Sequence, residues 1–289
     1  MSLEITYRSL AGLSVGDALG AQFFMVGRSL PELKAGNPPA GPWEWTDDTE
    51  MACNLVTELR DHASVDQERL AWTFADRCEP YRGYGAGAFR ILHNIRKGVP
   101  WRDAAGAAFN GQGSCGNGAA MRVAPLGAYF AGDLDKVVEQ ATLSAEVTHQ
   151  HPEGIAGAVA VARAAAIAVI SRPQPREFLE QVMDGLPKGF VLKGIRRART
   201  LIGKTVAEAA YDLGNGSRVT AQDTVPFTLW VAATYLDDYT SAITSCIEAG
   251  GDVDTTAAIV GGIVATRGEV PQRWLESREP LPEWASPGQ

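Results

Sequence analysis

Apolar residues along this chain recur at helical rather than strand spacing. Ala52, Leu55, Val56 and Leu59 fall three and four residues apart, on one face of a 3.6-residue helix, and Val137, Val138, Ala141 and Ala145 repeat the pattern. Period-two alternation over four or more residues is hard to find, so strands are not expected. Helix starts are expected near Thr49, Asp66, Ala86, Gly118, Asp133, Pro152, Arg176, Thr205 and Thr255, several at residues suited to capping. Abundant Ala allows close helix approach, while Gly and Pro punctuate the segments. The expected fold is all-α, a compact orthogonal helical bundle. With no repeat and no low-complexity linker, residues 1–289 read as one domain.

Three stretches qualify that picture. Two loops, Gly36–Trp45 and Phe109–Gly118, are rich in Gly or Pro, and each is expected to lead into a helix start. The run Ile155–Ile170 is interrupted by Arg163 and reads as too short to span a bilayer, hence as a buried central helix. Pro271–Gln289 mixes two Trp with Pro and Glu and reads as an extended tail.

Composition narrows the function. Hydrophobic residues at 45% and charged residues at 21% are ordinary for a globular chain. A net charge of -8, from 34 acidic against 26 basic residues, argues against an electrostatic nucleic-acid footprint and for an affinity toward cations. The four cysteines stand far apart without a C-x-x-C pair, which suits a reducing, cytoplasmic compartment better than a disulfide framework. The N-terminus shows no signal-peptide pattern, and no membrane partner is expected.

Two acidic clusters carry the candidate chemistry. Thr46-Asp47-Asp48-Thr49 stands directly before an amphipathic helix, where one acid or hydroxyl would suffice as a cap. Two adjacent carboxylates flanked by hydroxyls also supply several oxygen ligands within one turn, as hard cations require. Gly250-Gly251-Asp252-Val253-Asp254-Thr255-Thr256 repeats that chemistry near the other end of the chain. Together the clusters offer enough oxygens for two divalent ions, and the lack of His and Cys favours Mg²⁺ or Mn²⁺ over zinc.

The glycine-rich run Gly111-Gln112-Gly113-Ser114-Cys115-Gly116-Asn117-Gly118 contains G-x-G-x-x-G, yet the preceding Trp101–Phe109 is Ala-rich and helical in character. A dinucleotide-binding Rossmann turn needs a strand there. What remains is a turn whose backbone N–H groups suit a diphosphate, or a tight interhelical connection. His149 and His151 are two apart and are not expected to share a ligand. Arg82–Gly87 reads as a flexible loop, with Tyr84 free to pack on a ligand or on the core.

These motifs together resemble the ADP-ribosylglycohydrolase family. The resemblance rests on Gly16-Asp17-Ala18-Leu19-Gly20, Trp45–Thr49, Gly111–Gly127, Thr148-His149 and Gly250–Gly262, which occur in family order across most of the chain. It implies a dinuclear metal site in a central cleft, with Thr46, Asp47, Asp48, Asp252, Asp254 and Thr255 as ligands. It implies ADP-ribose contacts at Phe109, Gly113, Ser114, Gly116, Asn117 and His149, with Asp17 an acid close to the metals. Cys115 belongs to the same binding stretch, where some members carry an aromatic residue near adenine. Many members have a glutamate four residues past Gly20; here that position is Phe24. The expected activity is metal-dependent cleavage of ADP-ribose from a modified protein or a small conjugate. Asp47, Asp48 or Asp254 would orient the attacking water, and an arginine-type N-linkage is slightly favoured. The alternatives are a two-metal nucleotide-diphosphate phosphohydrolase and a noncatalytic ADP-ribose-binding protein.

Overall fold

Gly12, Gly16 and Gly20 are four residues apart, a spacing that sets all three on one side of a helix. In the computed structural model, which describes residues 2–287, they lie on the N-terminal helix Ser2–Gln22 and face the helix Val253–Val264. A Cβ on Gly16 would stand 2.1 Å from the Ala257 carbonyl oxygen, and one on Gly20 2.6 Å from that of Val253. The partner leaves a gap of its own, because a Cβ on Gly261 would stand 2.4 Å from the Gly12 oxygen. The two helices thus run antiparallel with backbone against backbone. Two buried hydroxyls fasten the contact: Ser9 donates to the Gly262 carbonyl and Tyr239 to that of Gly12, each at 2.6 Å. This pairing joins the two ends of the chain and lays Gly20 against the Cα of Asp254, 2.8 Å from where a Cβ would be.

Around that pair the remaining helices close an all-α core, and among the described residues there is no strand, only two isolated bridges. One connected cluster of buried apolar residues runs from Val15 to Trp274. The helix Pro152–Ile170 is the central element expected, packed against Leu134–Glu146, Ala124–Tyr129 and Ala221–Thr234. One expectation about it is corrected. Pro152 starts the helix early enough to give 19 residues of mean hydropathy 1.8, long and apolar enough to cross a membrane, but 83% of its apolar window is buried in this core. Gly127 lets a neighbouring helix touch it, since a Cβ there would fall 2.0 Å from the Ala162 oxygen.

Local chemistry explains most element boundaries. Asp66, Asp133 and Thr205 are N-caps whose side chains accept backbone N–H bonds, and Ala86 and Pro152 open helices as expected. Helices expected at Thr49, Arg176 and Thr255 begin slightly earlier, at Asp47, Pro175 and Val253. Gly118 opens no helix: turns held by Asn117 O continue to Ala124, so the glycine-rich loop does not lead directly into a helix. The tail is not simply extended, since Gln272–Ser277 is helical and Glu283–Ala285 forms a 3₁₀ turn; Gly288 and Gln289 lie outside the described residues. The tail is anchored beside the first acidic cluster. Arg82 pairs through both terminal nitrogens with Glu279, at 2.7 and 2.9 Å, donates to the Trp45 carbonyl, and stacks on the Trp45 ring.

Candidate functional site

The helix Asp47–His62 starts beneath a cleft of about 470 Å³, and its N-terminus is capped by groups other than the Asp47 and Asp48 carboxylates. Thr46 is the N-cap, its hydroxyl accepting the Asp48 N–H at 3.3 Å. The Thr49 N–H is taken by a distant residue, Asp17 Oδ2, at 3.1 Å. Asp17 also receives the Thr46 N–H and both Thr46 and Thr49 hydroxyls, at 2.5 to 2.9 Å. Capping is therefore done by Thr46 and Asp17, and the carboxylates of Asp47 and Asp48 are left over. Asp48 is 2% exposed, and its Oδ2 is buried without a hydrogen-bond partner. A buried carboxylate oxygen in that condition is costly unless something positive meets it.

The second cluster is delivered by Gly250 and Gly251, both at positive φ, 65° and 76°. Gly251 must lack a side chain, because a Cβ there would meet the Asn215 oxygen at 2.4 Å. Asp252 is the N-cap residue of Val253–Val264 but makes no capping bond; its Oδ2 instead accepts from Asn117 Nδ2 at 2.7 Å. Asp254 accepts the Thr255 N–H at 2.8 Å. The helix pairing described above brings this cluster against the first. Burial, then repulsion from Asp17, Asp254, Asp47 and Asp252, holds the Asp48 carboxyl well above the usual range. Asp254 is raised by burial and by Asp252 and Asp17, and Asp47 is pushed up to about 7 by burial and by Asp17 and Asp252.

Those mutual effects test whether divalent cations fit. Four carboxylates that line the cleft lie near enough to repel one another, and one buried oxygen lacks a partner. Such a set suits hard cations, which take carboxylate and hydroxyl oxygens. His, Cys, Asp and Glu side chains among the described residues do not gather in threes tightly enough to enclose an ion by themselves. Mg²⁺ takes one or two carboxylates and keeps several waters, so it does not require such a cage. The residues present therefore fit such ions as an open site rather than a closed cage.

The other end of the cleft is built from the glycine-rich loop. Phe109, 62% exposed and at φ 51°, and Ser114, Cys115, Gly116, Asn117 and Gly118 line it. Ser114 Oγ accepts the Gly116 N–H at 3.1 Å, and Val219 O accepts that of Asn117 at 3.2 Å. The N–H groups of Ser114, Cys115 and Gly118 find no acceptor among the described residues. They are the donors a diphosphate would use, by loop geometry rather than by a helix dipole. Asn117 ties this loop to the acids through Asp252 and to Thr224 at 3.1 Å.

His149 completes that end. It is 5% exposed, and Arg122 orients it through Thr148: Arg122 Nη2 donates to Thr148 Oγ1 at 3.0 Å, which contacts His149 Nδ1 at 2.8 Å. A hydroxyl that accepts from arginine has its own proton for Nδ1, so the network assigns the neutral tautomer with Nε2–H. That nitrogen lies against the glycines, 3.2 Å from a Cβ on Gly116 and 3.1 Å from one on Gly118. Burial, with Arg122 nearby, pushes the His149 pKa down to about 3. On the contacts that the resemblance implies, His149→Ala is expected to weaken ADP-ribose binding about tenfold, the worth of one hydrogen bond to a charged group. Calorimetric titration should show that loss unchanged from pH 5 to 8, because the ring stays neutral throughout. An inflection near 6.5 in wild-type affinity that disappears in the variant would contradict this. The native ring resists a proton that the unfolded chain accepts below 6.5, so this residue costs stability as pH falls.

Not every expected contact lines the cleft. Asp17 is fully buried with both oxygens engaged, so it positions Thr46 and Thr49 rather than touching substrate. Gly113 lies beneath the loop, where a Cβ would meet the His151 nitrogen at 2.7 Å. His151 caps the central helix, which separates it from His149 as expected. Tyr84 turns to the core side, its hydroxyl donating to buried Glu50 at 2.6 Å, and this pins Gly83, Gly85 and Gly87 as the cleft's wall beside Asp47. Arg122 went unrecognised in the sequence, although an arginine amid Ala119–Ala128 was a signal. Burial pushes its pKa down to about 9, and its guanidinium stacks on Phe74 at 4.6 Å.

Comparison with known proteins supplies the class. A family model described as ADP-ribosylglycohydrolase matches residues 4–286. ADP-ribosylhydrolase ARH3 of Gallus gallus is 31% identical over 95% of this chain and 89% of its own length. Its Homo sapiens counterpart is 30% identical over 93% and 88%. An uncharacterized protein of Archaeoglobus fulgidus is 33% identical over 98% and 96%. Among solved structures, a chain of an ADP-ribosylglycohydrolase-related protein complex superposes with a TM-score of 0.67 at 25% identity, covering 96% of this chain and 93% of that one.

Proposed function

The chain belongs to the ADP-ribosylglycohydrolase family and is a glycosidase-type hydrolase, and from that premise we propose that it frees ADP-ribose from arginine-type N-linked acceptors using two divalent cations. Mg²⁺ is the expected ion and Mn²⁺ a substitute, held by Thr46, Asp47, Asp48, Asp252, Asp254 and Thr255. The observation that carries this reading is the set of carboxylates left out of capping and crowded together, with Asp48 Oδ2 unpartnered. Bound cations of this kind supply Lewis-acid polarisation and water activation.

The chain's own residues divide the remaining work. Asp47, Asp48 and Asp254 set negative charge where an oxocarbenium-like transition state becomes positive, and one of them orients the attacking water and accepts its proton. Asp17 fixes the Thr46–Thr49 turn that presents the first two. Backbone N–H groups of the glycine-rich loop and the neutral His149 Nε2–H hold the diphosphate. Cys115, which lines the cleft, would lie near the adenine and offers it no aromatic stacking surface.

The acceptor follows from what the cleft lacks. Among the described residues no glutamate lines it, and Phe24, in the place where many members carry one, is 58% exposed in a turn after the N-terminal helix. A guanidinium needs little protonation to depart, so arginine conjugates suit this site better than O-linked ones. Timed hydrolysis of arginine-linked, serine-linked and O-acetyl ADP-ribose at equal concentration tests the point. The arginine conjugate should turn over about tenfold faster than either O-linked substrate. Preference for an O-linked conjugate would reverse the assignment. A cytoplasmic setting is part of this reading, since ADP-ribosylated proteins or small conjugates would be met there.

A further inference from the structure

Among the described residues two guanidinium groups line the cleft, those of Arg122 and Arg218, and only that of Arg218 is free to act. Arg122 is buried, donating to the Ser144 and Gly118 carbonyls and to Thr148. Arg218 is exposed, and among the described residues its guanidinium has neither a hydrogen-bond acceptor nor a carboxylate partner. Its backbone alone is held, the N–H donating to Asp223 Oδ2 at 2.9 Å.

The loop carrying Arg218 is fastened to both halves of the site. Asn117 N–H donates to Val219 O at 3.2 Å and Ala221 N–H to Cys115 O at 2.9 Å, flanking an antiparallel bridge between Gly116 and Thr220. On its other side, Asp252 N–H donates to Asn215 O at 3.2 Å, and a Cβ on Gly216 would fall 2.6 Å from that of Asp252. Val219 is held at φ 56°, a left-handed backbone conformation that is strained for a β-branched residue. Its N–H donates to Gly216 O at 2.7 Å, which fixes the turn. A strained residue kept in place beside an unpaired guanidinium, on the wall that pairs with the glycine-rich loop, marks a built feature rather than a loose surface side chain.

We infer that Arg218 is a specificity-determining residue that grips the diphosphate of the substrate from the wall facing the Gly111–Gly118 loop; this rests on the ADP-ribose reading above. Loop N–H groups take phosphate oxygens from one side, and the positive charge of the Arg218 side chain takes them from the other. The same charge draws the anionic part of the substrate away from the four carboxylates and so sets its direction in the cleft.

Calorimetric titration of ADP-ribose into wild-type protein, Arg218→Met and Arg218→Lys, in Mg²⁺ and at two salt concentrations, tests the inference. Arg218→Met should weaken binding about tenfold and flatten its salt dependence, while Arg218→Lys should stay within about threefold of wild type. An unchanged affinity in Arg218→Met would overturn the inference. So would equal losses in both variants, since a residue acting by stacking or shape is not rescued by charge alone. Failure of the wild-type protein to bind ADP-ribose is a different result, which removes the substrate reading itself and this inference with it.

Discussion

Asp254→Asn is expected to lower turnover of ADP-ribosylated arginine by about 10²–10³-fold while leaving the metal-free fold at least as stable as wild type. The two halves of that expectation come from one feature. Asp254 is crowded by Asp252, Asp17 and Asp48, and its charged form is disfavoured by burial and repulsion. An amide keeps the shape and can still accept the Thr255 N–H, a bond of 2.8 Å, while removing one of the repelling charges. On the proposed mechanism the same change takes away an oxygen ligand and the negative charge facing the developing cation, worth several kcal/mol in the transition state. Thermal melts in chelator beside turnover in Mg²⁺ check both halves. A variant that lost stability as well as activity would mean that Asp254 serves the fold. One that kept near-wild-type turnover would remove it from the chemistry.

Gly16→Ala should be among the most damaging conservative changes in the core. Helix propensity alone predicts a gain of about 1 kcal/mol when alanine replaces glycine in a helix. The new Cβ, however, would lie 2.1 Å from the Ala257 carbonyl oxygen, and the obstacle is backbone on a buried helix rather than a side chain that can turn away. Forced separation of the two helices is expected to cost about 3 kcal/mol or more, enough to lower the thermal midpoint by roughly 6 °C. Activity should fall with it, because this contact holds Asp254 against the Thr46–Thr49 turn. Gly87→Ala is the contrasting variant: Gly87 is also helical, nothing lies within 4 Å of its added Cβ, and its melting temperature should hold or rise. Equal melting temperatures for Gly16→Ala and wild type would show that the interhelical contact is looser than described.

What could be read along the chain was local. Both acidic clusters, the glycine-rich run and His149 announce themselves because each is a few consecutive residues with distinctive chemistry. Whether Asp47 and Asp48 are spent on capping is not a local matter, since it depends on Asp17 capping Thr49 from 32 positions away. The helix Ala221–Thr234 was missed because it is buried nearly all round and shows no polar stripe to reveal a period. Phe190–Thr200 is a different miss, as its Val191, Leu192 and Ile195 carry the apolar spacing in plain view. Arg218 had no signal at all: its importance comes from a loop pairing with Gly116 across about a hundred residues. Gly12, Gly16 and Gly20 were visible at regular spacing, but their meaning needed the partner helix.

The most direct test of the account is the identity of the product. Wild-type protein incubated with ADP-ribosylated arginine and Mg²⁺, followed by mass spectrometry, should release intact ADP-ribose and unmodified arginine. The reaction should stop in excess chelator and resume when Mg²⁺ is restored. Release of AMP, or turnover indifferent to chelation, would contradict a metal-dependent cleavage of the glycosidic bond by these carboxylates.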